Sequence, residues 1–378
     1  MAKNDEIYHL EEDFHLQDRK LHRKERKIAT NKDRSKYKKT DQDQLKKQAL
    51  SRDELPIDGS LERGRVLAIA PEGIIVDNNG TELICSLKGS LKQEKNRAKN
   101  LIAVGDFVRF ENKGSGQGTI SLIEERHSIL SRADNLSRNK EQLIAVNIDQ
   151  VLITCSVVQP MLKPPLVDRY IIAALKGNMA PIIVVNKIDL FDHPPETLSE
   201  IDLEVEKEIY AQFLQAYAAL DIPVIPISSS TGQGIEALRA IMQGKTSVFS
   251  GQSGVGKSSL INLVAGTSMR TGSIVHKTGK GSHTTTTTHL IPLECGGFCI
   301  DTPGIRSFGL WDMKKEEIVD YFPEIVALSS ECRFPDCSHM TEPECAVQKA
   351  LEEEKISALR FESYCALMAS VSKQHRLR

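Results

Sequence analysis

Eight consecutive residues, Gly251, Gln252, Ser253, Gly254, Val255, Gly256, Lys257 and Ser258, satisfy the spacing G-x-x-x-x-G-K-[S/T]. The chemistry such a stretch performs is phosphate binding. Glycines let the backbone curl until successive N–H groups converge on an anion, and a following helix adds the positive end of its dipole. Lys257 is then placed to bridge the β- and γ-phosphates of a nucleotide, and Ser258 to ligate Mg²⁺. The run SVFSG before the loop and SSLINLVAG after it read as the strand and helix the motif needs. Out of that context, a flexible glycine turn is the other reading.

Three further stretches complete a nucleotide site. Asp301, Thr302, Pro303 and Gly304 follow the apolar run GFCI. An Asp at a strand end can hold Mg²⁺ through water, and the Gly304 N–H can donate to a γ-phosphate with no side chain in the way; alone, the four residues could be only a turn. Asn186, Lys187, Ile188 and Asp189 follow IIVV with N-K-x-D spacing. The Asp189 carboxylate can accept from both N1–H and N2–H of guanine, donors that adenine lacks, so this residue would select GTP over ATP. Ser228, Ser229 and Ser230 follow PVIPI, where the N–H of Ser229 or Ser230 can reach guanine O6.

Between the phosphate loop and Asp301 lies TGKGSHTTTTTHL, residues 278–290. This Gly- and Thr-rich segment is a poor helix and reads as a switch in which Thr284 or Thr285 completes the Mg²⁺ shell; a low-complexity loop is the alternative. Many GTPases position the attacking water with a Gln shortly after D-x-x-G, but here Gly304 is followed by Ile305. Help must come from elsewhere, and His283 is either that group, accepting from water as neutral imidazole, or a bystander. The catalytic candidates are therefore Lys257, His283, Thr284 and Thr285, with Ser258, Asp301 and one of the two threonines as Mg²⁺ ligands.

A separate cluster, Cys332, Cys337, His339 and Cys345, has the spacing C-x4-C-x-H-x5-C. Three thiolates and one imidazole form a closed tetrahedral set with no position left for water, which predicts a structural Zn²⁺. The other cysteines, Cys85, Cys155, Cys295, Cys299 and Cys365, sit in apolar or helical contexts and read as inert thiols.

These residues need elements to hold them. A chain of 378 residues predicts two or three domains. Net charge is −2, yet residues 19–47 hold thirteen Lys/Arg against four Asp/Glu. Such a run reads as a basic arm for a polyanion such as rRNA, or as a solvated tail. Short apolar runs GRVLAIA, GIIVD, TELICSL, DFVRFE and TISLIEE, with a hairpin turn at Asn79-Gly80, predict a small barrel of OB type. Its usual ligand class is nucleic acid, to which the basic loop at 89–100 adds; a spacer is the alternative. From about 145 to 310, strand runs alternate with helical stretches, the mark of a parallel α/β sheet. One helix over 198–220 carries a Ser199 to Asp202 capping box and apolar residues at Ile201, Val205, Ile209 and Phe213. Helical stretches flank the Cys/His cluster. The roughly 18 uninterrupted apolar residues of a membrane span do not occur, and the first residues are not signal-like, so a cytoplasmic protein with no membrane partner is expected.

The nucleotide motifs resemble those of translation-factor-type GTPases, but in the order base reader, base support, phosphate loop, switch, DTPG, which is the order of circularly permuted GTPases. That order, the barrel, HTTT, DTPG and the knuckle together resemble the ribosome-small-subunit-dependent GTPase family, RsgA, over about residues 60–375. The resemblance implies a GTPase that acts late in assembly of the 30S ribosomal subunit, binds 16S rRNA and is stimulated by that subunit. Carried over by motif, the GTP contacts fall at Asn186 to Asp189 and Gly251 to Ser258 and the zinc ligands at Cys332, Cys337, His339 and Cys345; beside the resemblance, a monomer that docks on rRNA through barrel, arm and knuckle is the mechanism expected. The fold class expected is multidomain α/β: a basic arm (1–58), an OB-fold barrel (59–126), a permuted P-loop GTPase domain (127–311) and a helical zinc-binding domain (312–378). The basic arm departs from the family pattern, and the threonine run extends past HTTT. Two rivals are an RNA-binding protein with a degenerate nucleotide site and a GTPase directed to tRNA or membrane.

Overall fold

Strands β1 (Glu62–Ala70), β2 (Gly73–Asn78), β3 (Thr81–Leu87), β4 (Phe107–Gly114) and β5 (Gln117–Ile123) close into a barrel in the order β1-β2-β3-β5-β4. The computed structural model in which they appear describes residues 61–89, 91, 101–133, 141–266, 288–301 and 314–376, all within one unit from Ser60 to Arg378. Four barrel pairings are antiparallel, and β3 runs parallel to β5, as in the OB-fold expected from the sequence. Along β3, Leu83, Cys85 and Leu87 are buried at every second position, the alternation of a strand with one face on a core. Asn79 and Gly80 take φ of 52° and 86°, the positive values a tight two-residue hairpin turn requires. Of the basic loop at 89–100, nearly all lies outside the described residues.

A hairpin, β6 (Ile129–Ala133) with β7 (Glu141–Val146), links the barrel to a six-stranded sheet. The sheet contains β8 (Gln150–Ser156), β9 (Ala180–Asn186), β10 (Val224–Pro226), β11 (Thr246–Ser250), β12 (His289–Pro292) and β13 (Phe298–Asp301). Its order is β10-β9-β8-β11-β13-β12, parallel except at the edge strand β12. Every residue of β8 is buried, because helices cover both faces. Val151 and Ile153 face the layer of α1 (Pro164–Lys176) and α2 (Glu200–Ala218), while Leu152 faces α3 (Ile235–Met242) and α4 (Lys257–Ala265).

In α2, the Ser199 hydroxyl accepts from the Asp202 N–H at 3.1 Å, the expected cap. The buried face, however, departs from the predicted stripe. Leu203, Tyr210, Phe213 and Tyr217 turn toward the core, whereas Ile201 and Val205 are 78 % and 48 % exposed, because a strict four-residue row drifts about 40° per step around a helix of about 3.6 residues per turn.

The barrel is keyed to the sheet by Arg65. Its Nη2 donates to the Asn147 carbonyl at 2.8 Å, and its guanidinium lies over the rings of Phe107, 4.9 Å, and Phe298, 4.8 Å. Burial pushes this guanidinium down to about 10. Phe298 opens β13, so the same strand carries the barrel contact at one end and Asp301 at the other.

The C-terminal region contains α5 (Lys315–Ile318), α6 (Pro323–Ser329), α7 (Ala346–Glu352) and α8 (Ala358–Arg376). Helix α8 packs on α1 and α2. At that interface Arg360 pairs with the fully buried Asp168 of α1. Arg360 also donates to Glu324 at 2.8 Å, and the Tyr217 hydroxyl donates to Asp168 at 2.7 Å. No described helix is long and apolar enough to cross a membrane.

Candidate functional site

Strands β9, β10, β11 and β13 deliver Asn186, Ser228 to Ser230, Gly251 and Asp301 to one edge, the C-terminal ends of the parallel strands. Open α/β sheets bind ligands there. The phosphate loop leaves β11 and enters α4, with Gly256 at the helix N-cap in the left-handed region, φ 93°. A side chain there would collide with the Asn186 carboxamide, so glycine serves both the turn and the close approach. No acidic residue stands in the first turn of α4, which leaves its N–H groups and dipole for an anion. Lys257 Nζ is folded over the loop, donating to the carbonyls of Gly251 at 2.7 Å and Gln252 at 2.6 Å. Ser258 is exposed in the first turn.

Asn186 is fully buried and joins the pieces. Its Nδ2 donates to the Val255 carbonyl at 2.8 Å and to Ser229 Oγ at 3.2 Å, while Oδ1 accepts from the N–H groups of Lys187, 2.8 Å, and Ser229, 3.0 Å. Lys187 adopts φ 65° and its ammonium donates to the Gln159 carbonyl. That contact brings in the loop after β8, which sequence reading missed because the acceptor is a backbone oxygen with no residue signature.

Asp189 Oδ2 accepts from the Ser230 hydroxyl at 2.9 Å. Its Oδ1 is buried with no hydrogen bond, a state that costs free energy unless a donor arrives. Burial pushes this carboxyl up, but the hydroxyls of Ser228 and Ser230 outweigh that and hold it below the ordinary range. An ionised acceptor beside the phosphate loop fits the two donors of guanine. Asp301 closes β13, with its backbone in register opposite His289. His283, Thr284, Thr285 and Gly304 lie outside the described residues.

The second site is the knuckle. The four ligand atoms of Cys332, Cys337, His339 and Cys345 lie within 4.8 Å of one another. His339 Nδ1 is 3.5 Å from the sulfurs of both Cys332 and Cys345, and those sulfurs are 3.9 Å apart. Tetrahedral Zn²⁺ with bonds of about 2.3 Å to sulfur and about 2.0 Å to nitrogen demands separations of about 3.5 and 3.8 Å. The imidazole also has the right tautomer. Ser329 donates its single hydroxyl proton to the Ile325 carbonyl, 2.8 Å, so at 3.1 Å from His339 Nε2 it must accept. The Nε2–H is thereby spent outside and the Nδ1 lone pair faces the sulfurs. Burial pushes His339 down, toward the neutral ligand form. Burial, together with Cys345 and Cys332 beside it, pushes Cys337 up to about 12, so the set ionises with a cation rather than alone. The five cysteines outside the knuckle form no disulfide, and three of them, Cys85, Cys155 and Cys299, are buried.

Residues 123–311 match the family model described as RsgA GTPase. The chain is 42 % identical over 309 residues to the small ribosomal subunit biogenesis GTPase RsgA of Chlorobaculum parvum, covering 79 % of this chain and 94 % of that protein. The protein of the same name from Bacteroides fragilis is 36 % identical, with 79 % and 96 % covered. Among solved structures, YjeQ from Thermotoga maritima superposes with a TM-score of 0.63 at 30 % identity, covering 82 % of this chain and 98 % of that one. YloQ, a circularly permuted GTPase, gives 0.62 at 27 % identity, with 85 % and 98 % covered. With its base reader ahead of its phosphate loop in sequence and beside it in space, the chain belongs to the RsgA GTPase family.

Proposed function

We propose that this GTPase is a late assembly factor of the 30S ribosomal subunit, bound to 16S rRNA and stimulated in GTP hydrolysis by the subunit. The observation that carries this reading is one fold holding a permuted guanine site and a Cys3His knuckle, in a chain whose relatives are named for small-subunit biogenesis. Residues 1–58 would supply a basic RNA-binding arm, 59–126 the rRNA-binding barrel, 127–311 the GTPase and 312–378 the zinc-bearing domain. A cytoplasmic monomer exchanging GTP and GDP suits this role.

Within the site, Asp189 reads the guanine edge, the Ser229 or Ser230 N–H meets O6, and the backbone from Gly251 to Ser258 cradles the phosphates. Lys257, which in this structure caps loop carbonyls, turns its ammonium to the β- and γ-phosphates. Ser258, Asp301 and Thr284 or Thr285 would hold Mg²⁺, which when bound would supply positive charge beside the phosphates. Gly304 reports the γ-phosphate and His283 positions the water. GTP orders the switches and favours docking; hydrolysis loosens them and releases the protein.

GTP turnover with and without purified 30S subunits tests the reading. Stimulation by the subunit is expected. No turnover in either condition would favour a degenerate site, and stimulation by tRNA or vesicles alone would move the protein to another partner.

A further inference from the structure

The knuckle presents a surface whose chemistry differs from that of an RNA-binding module. Phe334 and Met340 are 39 % and 37 % exposed, and Phe334 is the one aromatic side chain among the exposed large apolar residues that are described. Both belong to the segment that carries the four ligand residues and that Glu342 braces with hydrogen bonds. The Glu342 carboxylate accepts from the N–H groups of Ser338, 2.9 Å, Met340, 3.0 Å, and Thr341, 3.1 Å. An ordered, exposed aromatic and a methionine cost little further ordering on binding, and such side chains are the usual anchors of protein interfaces.

The charges around these anchors fix the partner's sign. Residues 331–345 carry the carboxylates of Glu331, Asp336, Glu342 and Glu344 against one guanidinium, Arg333. Arg333 is itself tied to Glu344, with its guanidinium 5.5 Å from the Phe334 ring. Three thiolates exceed the charge of a divalent ion by one, so the loaded knuckle is more negative still. Nucleic-acid affinity rests on cations that displace counterions from phosphates, and this face offers none that is not already paired.

We infer that the carboxylate-rich knuckle segment, through its exposed Phe334 and Met340, docks a Lys/Arg-rich protein segment bearing an apolar side chain. The inference rests on the small-subunit reading and deepens it. RNA contact then falls to the barrel and the basic segment, and the knuckle supplies the protein contact.

The test uses the full chain loaded with a non-hydrolysable GTP analogue and purified 30S subunits. A benzoylphenylalanine cross-linker replaces Phe334, and cosedimentation of the unsubstituted protein is measured in parallel. Irradiation should give an adduct that resists ribonuclease and maps by proteolysis to a Lys/Arg-rich protein segment. Phe334→Ala should weaken subunit binding about ten-fold with subunit-free turnover unchanged. An adduct to rRNA, an adduct to an acidic or neutral protein surface, or no adduct while the substituted protein still cosediments would each overturn the inference. Failure of the unsubstituted protein to cosediment would instead overturn the small-subunit reading, and this one with it.

Discussion

The Asn186 carboxamide and the Val255 carbonyl, 69 positions apart in sequence, are joined by a 2.8 Å hydrogen bond that ties the end of β9 to the glycine-rich loop between β11 and α4. Asn186→Ala would leave the Val255 carbonyl and the Ser229 N–H without partners at a buried point. Each such loss costs about 1–3 kcal/mol, part of which appears as strain in the loop. GDP affinity should fall by at least about ten-fold, read by fluorescence titration with a labelled nucleotide. Unchanged affinity at unchanged thermal stability would show that the loop holds its shape without this link.

Asp189→Asn removes the acceptor that guanine requires and offers a donor in its place. Affinity for GDP should drop by about two orders of magnitude or more, and xanthosine diphosphate, which presents a carbonyl where guanine has an amino group, should bind the variant better than GDP. In the wild type the carboxyl is depressed. Its contribution is therefore complete above the ordinary carboxylate range and is lost only as pH falls through the lower folded-state value. The ratio of GDP affinities between wild type and Asp189→Asn should stay constant from pH 8 to 6, since titration of the GDP phosphate cancels between the two proteins; a ratio that changes in that window would assign the base contact to another group.

His283→Ala separates the two roles open to the switch histidine. If it orients water, turnover of GTP falls with nucleotide affinity nearly intact, both alone and with 30S subunits. Equal turnover in the two proteins would make His283 a bystander.

How much of this was legible in the sequence follows from how local each constraint is. The phosphate loop, N-K-x-D, the Asn79-Gly80 turn and the Ser199 cap are each set within a few residues, and the structure places all four as the spacing implied. The hairpin β6–β7 was not legible, because neither ILSRA nor EQLIAV is apolar throughout and neither alternates strictly between apolar and polar residues. The Gln159 carbonyl under Lys187 was invisible for a different reason: any residue type supplies a backbone oxygen. The outward turn of Ile201 and Val205 was open to sequence reading, because a four-residue row drifts about 40° per step around the helix and leaves the face that buries Phe213 and Tyr217.

The contact between Arg360 and Asp168 spans 192 residues and holds the C-terminal region to α1. Arg360→Ala would leave a buried carboxylate uncompensated, at about 3–5 kcal/mol, and should lower the unfolding midpoint in urea and loosen α8 in hydrogen exchange. The double replacement Arg360→Met with Asp168→Leu removes the fully buried pair and should recover part of that loss, the remainder reflecting Glu324 and the Tyr217 hydroxyl left without these partners. Equal destabilisation by the single and double variants would mean that packing of the arginine stem, over the Phe322 ring at 4.3 Å, carries the interface.

The knuckle yields the last prediction. The purified protein should contain one zinc per chain by elemental analysis, and Cys337→Ser or a strong chelator should remove it and raise hydrogen exchange across residues 330–346, since so small a loop has little core besides the metal. Glu342→Gln should weaken zinc retention through a different route, by loosening the loop that aims His339. The Ser338 hydroxyl, at 2.5 Å, heads the bonds that hold Glu342 down to about 2. A depressed carboxyl contributes fully above its ordinary range and fades only as pH falls through the folded value. The ratio of zinc affinities between wild type and Glu342→Gln should therefore stay constant from pH 7.5 to 5.5, even as both lose metal to protonation of His339 and the thiols. A ratio that collapses toward one within that window would show that Glu342 titrates there and that the hydrogen-bonded loop opens before the metal leaves.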